Sequence, residues 1–86
     1  MENKLRVSRM LEIILEDENY ENARVLVFDE NNNLIVSEEL FHILFETYKM
    51  LKSYELVEWN TDCRISGNKK INTVVIFAKK VSKASL

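Results

Sequence analysis

The spacing of the apolar residues changes along this chain, and that change limits the folds that the chain can adopt. Over residues 4–18 the apolar residues recur at steps of three and four, which predicts an amphipathic helix. Residues 24–28 and 34–36 are rich in β-branched and aromatic side chains, which favours two strands. The polar residues 29–33 between them predict a hairpin loop. The first half of the chain is therefore predicted to be a helix followed by a β-hairpin.

The second half repeats this pattern. Ser37 is a suitable N-cap, and Glu38 and Glu39 place negative charge at the positive end of a following helix. The residues expected on the buried face of that helix are Leu40, Phe41, Leu44, Tyr48 and Leu51. Residues 56–65 and 71–80 are predicted strands around a turn at 66–70. The sequence thus predicts a single small α+β domain of order α-β-β-α-β-β, in which an antiparallel sheet of two hairpins packs against two helices.

A register for the second hairpin follows from its apolar alternation. Placing Ile65 opposite Ile71 puts Trp59 across from Phe77, and Cys63 lies on the same apolar face. The side chains that this register places on the opposite face of the fourth strand are Val74, Ile76 and Ala78. The residues predicted to form one core are Val25, Val27, Leu44, Tyr48, Leu51, Trp59, Val75 and Phe77.

Length and composition set the scale of the protein. With 86 residues, of which 47% are hydrophobic, the chain can build one core but not two. We expect one domain at residues 1–80 and a flexible tail at residues 81–86. Because a chain of this size buries only about 60–65% of its unfolded surface, a homodimer is a common remedy for low stability.

Several protein classes are excluded or disfavoured by the composition. The chain has no apolar run of about 20 residues and no signal-peptide pattern, so we expect a cytoplasmic protein that does not enter a membrane. One cysteine and one histidine exclude a disulfide scaffold and a zinc module, and a single glycine excludes phosphate-binding loops. This small, acidic, Asn-rich profile is similar to that of many accessory proteins of phages, archaeal viruses and mobile elements. Such a protein would act in the host cytoplasm.

Two groups of side chains have the residue types that chemistry requires. Glu39, His42 and Glu46 would share one stripe of the second helix and could hold a metal, but the favoured interpretation is a solvated polar face. Cys63 and His42 lack the surroundings of a nucleophile and its base, so a buried structural cysteine is favoured. We therefore expect neither an enzyme, nor a cofactor, nor a metal site.

The charges are distributed unevenly. Residues 1–62 carry fourteen acidic and six basic residues, a net charge of −8, whereas residues 63–86 carry six basic residues and no acidic one, a net charge of +6. A basic C-terminal hairpin could contact phosphates, so nucleic-acid binding is the alternative function. The residues that would make those contacts are Arg64, Lys69, Lys70, Lys79 and Lys80.

The second predicted helix is apolar over more than half of its circumference. Ile43 and Met50 border Glu39 and not the core stripe, so either the sheet wraps around the helix or a second chain covers it. We therefore expect a small non-enzymatic interaction or regulatory protein that binds another protein or itself. The candidate interaction residues are Ile43, Phe45, Met50, Arg64, Lys69 and Lys70.

Overall fold

A computed structural model describes residues 5–20 and 22–81 of the chain, so residues 82–86 of the predicted flexible tail lie outside the described residues. The two α-helices are α1 (Val7–Leu15) and α2 (Phe45–Leu51). The four strands are β1 (Arg24–Phe28), β2 (Leu34–Glu39), β3 (Tyr54–Ser66) and β4 (Lys69–Lys80). Short 3₁₀ helices at Glu18–Tyr20 and Leu40–His42 precede β1 and α2. The predicted small single-domain α+β fold with two helices and four strands is confirmed.

The sheet is mixed, and the prediction of a wholly antiparallel sheet is wrong. Its strand order is β2-β1-β4-β3, with β1 antiparallel to β2, β3 antiparallel to β4, and β1 parallel to β4. The two hairpins therefore meet through their most apolar strands. This arrangement follows from burial, since an inner strand is covered on both edges and β1 and β4 carry apolar side chains on both faces.

One face of the sheet and the helices enclose the core. Val25 and Val27 of β1 lie beside Val74 and Ile76 of β4, and all of these side chains are fully buried. The residues that cover this face from the helices and the 3₁₀ segment are Val7, Met10, Leu11, Ile14, Leu40 and Leu51. Among the predicted core residues, Val25, Val27 and Leu51 are confirmed as buried.

The predicted register of the β3–β4 hairpin is wrong by one residue. Arg64, not Ile65, lies opposite Ile71, and Trp59 lies opposite Ile76. The turn is shorter than predicted, because Ser66 and Lys69 already pair and Gly67, at φ +63°, provides the positive φ of a tight hairpin turn. A one-residue shift exchanges the two faces of a strand.

The shift moves Val75 and Phe77 of β4 away from the core, whereas Trp59 and Cys63 are exposed because β3 lies at the edge of the sheet. Val74, Ile76 and Ala78 form the core face of β4, whereas Val75 and Phe77 lie half-buried on the opposite face. There the Phe77 ring stacks on the Phe28 ring, with centroids 5.6 Å apart. Trp59, predicted to be in the core, is 45% exposed, and Cys63, predicted to be buried, is exposed.

The second helix begins later than predicted. Ser37 does not cap a helix, because it pairs with Leu26 inside the β1–β2 hairpin and its hydroxyl accepts a hydrogen bond of 2.9 Å from the Arg24 guanidinium. Strand β2 consequently continues to Glu39, and α2 starts at Phe45. Leu44, predicted to be in the core, therefore precedes the helix and is exposed.

A polar contact joins the two helices. The Tyr48 hydroxyl donates a hydrogen bond to the Glu12 carboxylate, which also accepts a 3.1 Å bond from Arg9. The Tyr48 bond, and after it the Arg9 bond, lower the pKa of Glu12, and the same contact with Glu12 raises the pKa of Tyr48. Tyr48 is thus half-buried at the rim of the core and not inside it.

In the described part of the chain, neither helix has the length and apolar character that crossing a bilayer requires.

Candidate functional site

The connection between β2 and α2 exposes large apolar side chains on the helical side of the protein. Phe41, Leu44 and Phe45 are 58%, 66% and 71% exposed, respectively. We refer to residues 41–45 as the apolar connection. Scattered apolar residues are normal on a protein surface, but a group of large ones in one short segment is typical of an interaction site.

Two anchors hold the apolar connection in place. Leu40 is buried, and its backbone N–H donates a 2.9 Å hydrogen bond to the carbonyl of Ala23. Ile43 is partly buried against the core, and its N–H donates to the Leu40 carbonyl at 3.4 Å. Because Leu40 and Ile43 are directed inward, Phe41 and Leu44 are left at the surface.

Acidic residues border the apolar connection. A shallow cleft of ≈ 360 Å³ is lined by Phe41, by Leu15 at the end of α1, and by Glu16, Asp17 and Glu18. Glu16 and Glu18 are exposed. On the α2 side, the Lys49 ammonium lies 5.6 Å from the centre of the Phe45 ring, which is within the range of a cation–π contact. The surface is therefore apolar at its centre and acidic on one side.

The structure separates the predicted interaction residues into two regions. Phe45 is exposed and Met50 is 39% exposed on α2, whereas Ile43 is partly buried against the core. Arg64 and Lys70 are exposed near the far end of the β3–β4 hairpin. The side chain of Lys69 lies outside what the structure describes.

The far end of the β3–β4 hairpin projects beyond the rest of the sheet. Strand β1 pairs with β4 only from Thr73 to Phe77, so Lys69–Asn72 of β4 pair with β3 alone. The protein accordingly measures 48 Å along its longest axis and 27 and 25 Å along the others. An open cleft of ≈ 650 Å³ lies where the hairpin passes the start of β1, lined by Asn22, Arg24, Glu39, Lys70 and Ile71.

The basic residues of the hairpin do not form one cluster. Lys70 and Lys80 lie at opposite ends of β4, about 33 Å apart at the usual rise of a strand. Lys79 lies opposite Glu55 on β3, and the Arg64 guanidinium donates a 3.1 Å hydrogen bond to Asp62.

The side chains considered for chemistry are not arranged as predicted. Glu39 ends β2, His42 ends a 3₁₀ helix and Glu46 lies in α2, so they do not share a helical stripe. Glu39 and His42 remain 3.6 Å apart, as an exposed pair. Within residues 5–20 and 22–81, no three His, Cys, Asp or Glu side chains lie close enough to hold a metal ion.

Sequence reasoning missed Phe41 and Leu44 as surface residues, because it began the helix at Ser37. The sequence did contain a signal: residues 34–39 follow a hairpin loop, and a strand that pairs with the whole of β1 includes Ser37, which therefore cannot cap a helix.

Comparisons with protein-family models, with curated proteins and with solved structures find no match to this chain.

Proposed function

We propose that this protein is a non-enzymatic interaction protein that binds a partner protein through the apolar connection. The observation that carries the proposal is the exposure of Phe41, Leu44 and Phe45 in a segment that the buried Leu40 and the partly buried Ile43 fix to the core. Anchored aromatic and aliphatic side chains lose little conformational freedom on binding and often supply most of the binding energy.

The surroundings of the apolar connection suggest the chemistry of the partner. Glu16 and Glu18 border the cleft beside Phe41 and favour a partner surface with basic groups around an apolar centre. Complementary charge mainly raises the association rate and selects the partner, while the apolar contacts supply affinity. Partner binding is therefore expected to weaken moderately, and not to vanish, as salt rises.

Binding of nucleic acid by the hairpin is a second proposal with less support. It rests on Arg64 and Lys70, which are exposed on neighbouring strands of the projecting end. The separation of these residues from Lys79 and Lys80, and the acidic neighbours Glu55 and Asp62, reduce the field that such a surface could present to phosphates.

The test compares capture of partners by variants of the full chain. The variant Phe41→Ser/Leu44→Ser makes two of the three exposed apolar side chains of the apolar connection polar. The control Leu34→Ser changes an apolar side chain that is 51% exposed at the start of β2. Tagged proteins are used for capture from the native host, with quantitative mass spectrometry and with urea melts to show that each variant is folded.

Proteins that bind through the apolar connection should be recovered with wild type and with Leu34→Ser, and reduced at least about tenfold with the double variant. Equal recovery with all three proteins would refute the proposal. Recovery that disappears after nuclease treatment, and with Arg64→Glu/Lys70→Glu, would instead support nucleic-acid binding.

A further inference from the structure

Strand β3 has an outer edge that is largely unpaired in the described residues. It is the last strand of the sheet, and its inner edge pairs with β4. At the start of the strand, Leu56 N–H donates a 2.7 Å bond to the Leu5 carbonyl and Arg6 bridges to Glu55. From Val57 to Ile65 no described residue pairs with the outer edge. Such an edge presents backbone donors and acceptors to any extended segment that can align with it.

The exposed side chains of this edge are unusually apolar. Val57, Trp59 and Ile65 are 64%, 45% and 79% exposed. Natural edge strands are normally protected by being short, by charged residues, by prolines or by bulges. Strand β3 carries the charged residues Glu58, Asp62 and Arg64 and a bulge between Leu56 and Glu58, but it is long and contains no lysine or proline in residues 57–65. The edge therefore combines large exposed apolar side chains with charges that can select the register of a partner strand.

We propose that β3 pairs with β3 of a second copy of this chain, antiparallel and about a two-fold axis at Thr61. In this register Glu58 lies opposite Arg64 of the partner subunit, and the bulged residue Val57 marks the end of the strand pair near Ile65 of the partner subunit. Trp59 lies opposite the small side chain of Cys63 of the partner subunit, and Thr61 lies opposite Thr61 of the partner subunit. Opposite charges, apolar pairs and Thr–Thr pairs are the combinations that stabilise antiparallel strands.

Neighbouring registers are less favourable. If the axis lay at Asn60, Glu58 would face Asp62 of the partner subunit, and if it lay at Asp62, the two Asp62 carboxylates would face each other. Like charges directly opposite one another destabilise a pair of strands. The Thr61 register also uses all of the edge that no described residue pairs with, since it ends at Val57, next to the position that Leu5 occupies opposite Leu56.

The resulting dimer would have one continuous sheet. Because the axis is perpendicular to the sheet, the helices of both subunits lie on the same side of it. The apolar connection follows β2, which lies at the edge of the sheet opposite to β3. The dimer is thus independent of the proposed partner binding, and its test does not require the partner.

Disulfide trapping tests the register. In the variant Thr61→Cys/Cys63→Ser the two introduced thiols would face each other across the axis, with Cα atoms about 4.5–5.5 Å apart, which a disulfide can span. In the matched control Glu58→Cys/Cys63→Ser the thiols would be offset by six residues, about 20 Å along the strand. Wild-type Cys63 would be offset from its counterpart by four residues, about 13 Å.

We expect an oxidised dimer on non-reducing gels for the Thr61→Cys variant and not for the other two proteins. A disulfide dimer formed as readily by wild-type Cys63 or by the Glu58→Cys variant would overturn the register. A wild-type protein that sediments as a monomer at concentrations up to about 1 mM would overturn the dimer itself.

A charge exchange tests the same pairing without cysteines. Glu58→Arg places two arginines opposite each other at both symmetric positions, and Arg64→Glu places two carboxylates there, so each should raise the dimer dissociation constant about tenfold. The double variant Glu58→Arg/Arg64→Glu restores opposite charges and should restore the wild-type dissociation constant. Sedimentation velocity measures all four proteins, and failure of the double variant to recover would refute the pairing of these residues.

Discussion

Truncation of Leu51 to alanine should destabilise the protein far more than the same truncation of Leu44. Leu51 ends α2 and is fully buried, whereas Leu44 precedes α2 and is two-thirds exposed. Truncating a fully buried leucine to alanine costs about 2–5 kcal/mol. The variant loses the transfer free energy of the removed carbon atoms, and the cavity that remains adds a further cost. A chain of this length has a total stability of about 4–13 kcal/mol, so the Leu51→Ala variant loses a large share of it.

The Leu44→Ala variant is the matched control, since it makes the identical chemical change. Its cost should stay below about 0.5 kcal/mol, as for most surface substitutions. Urea melts followed by far-ultraviolet circular dichroism measure both values, and an unchanged slope with denaturant shows that the comparison is sound. Equal losses, or a loss above about 1 kcal/mol for Leu44→Ala, would mean that the helix starts near Ser37 and that Leu44 faces the core.

Two further predictions concern local contacts. The Tyr48 bond lowers the pKa of Glu12 below its ordinary value of 4.5, so its stabilisation is present above that value and is lost as the pH falls through the lowered pKa. The Tyr48→Phe variant should therefore lose stability at neutral pH, and its difference from wild type should shrink as the pH falls through the lowered pKa of Glu12. Urea midpoints measured as a series from neutral to acidic pH test this, and a difference that stays constant over the series would contradict it. Gly67→Ala should lower the free energy of unfolding by about 1 kcal/mol, because alanine is strained at a φ of +63°. No atom lies within 4 Å of the added Cβ, so a steric clash does not contribute. An unchanged melting temperature would refute the backbone strain.

The sequence predicts a helix or strand correctly where its residues fit only one type of secondary structure. Val25 and Val27 are buried as expected, because β1 is short, apolar and bounded by polar loops. Helix α1 was likewise marked by its three- and four-residue steps. These signals are local, and no other element competes for the same residues.

Predictions failed where a tertiary contact decided between two local options. Ser37 can cap a helix or continue a strand, and the Arg24 side chain and the neighbouring β1 select the strand. The tight turn at Gly67 sets the register of β3 from Ser66 back to Glu58, and the bulge then shifts the pairing of Tyr54–Leu56; alternation alone could determine neither. A helix that begins at Ser37 places Phe41 and Leu44 in the core, whereas the extended strand β2 leaves both residues at the surface.

The parallel pairing of β1 with β4 also has a kinetic consequence. Each hairpin joins residues that are close in sequence and can close in about 1–10 μs, but Arg24 reaches Thr73 only after β2, α2 and β3 have been looped out. Closing that long loop costs entropy before the strand contacts repay it, so the meeting of the two halves, and not the formation of either hairpin, is expected to limit the folding rate. Until they meet, Val25, Val27, Val74 and Ile76 remain open to other chains, which makes the half-assembled chain the state most exposed to aggregation.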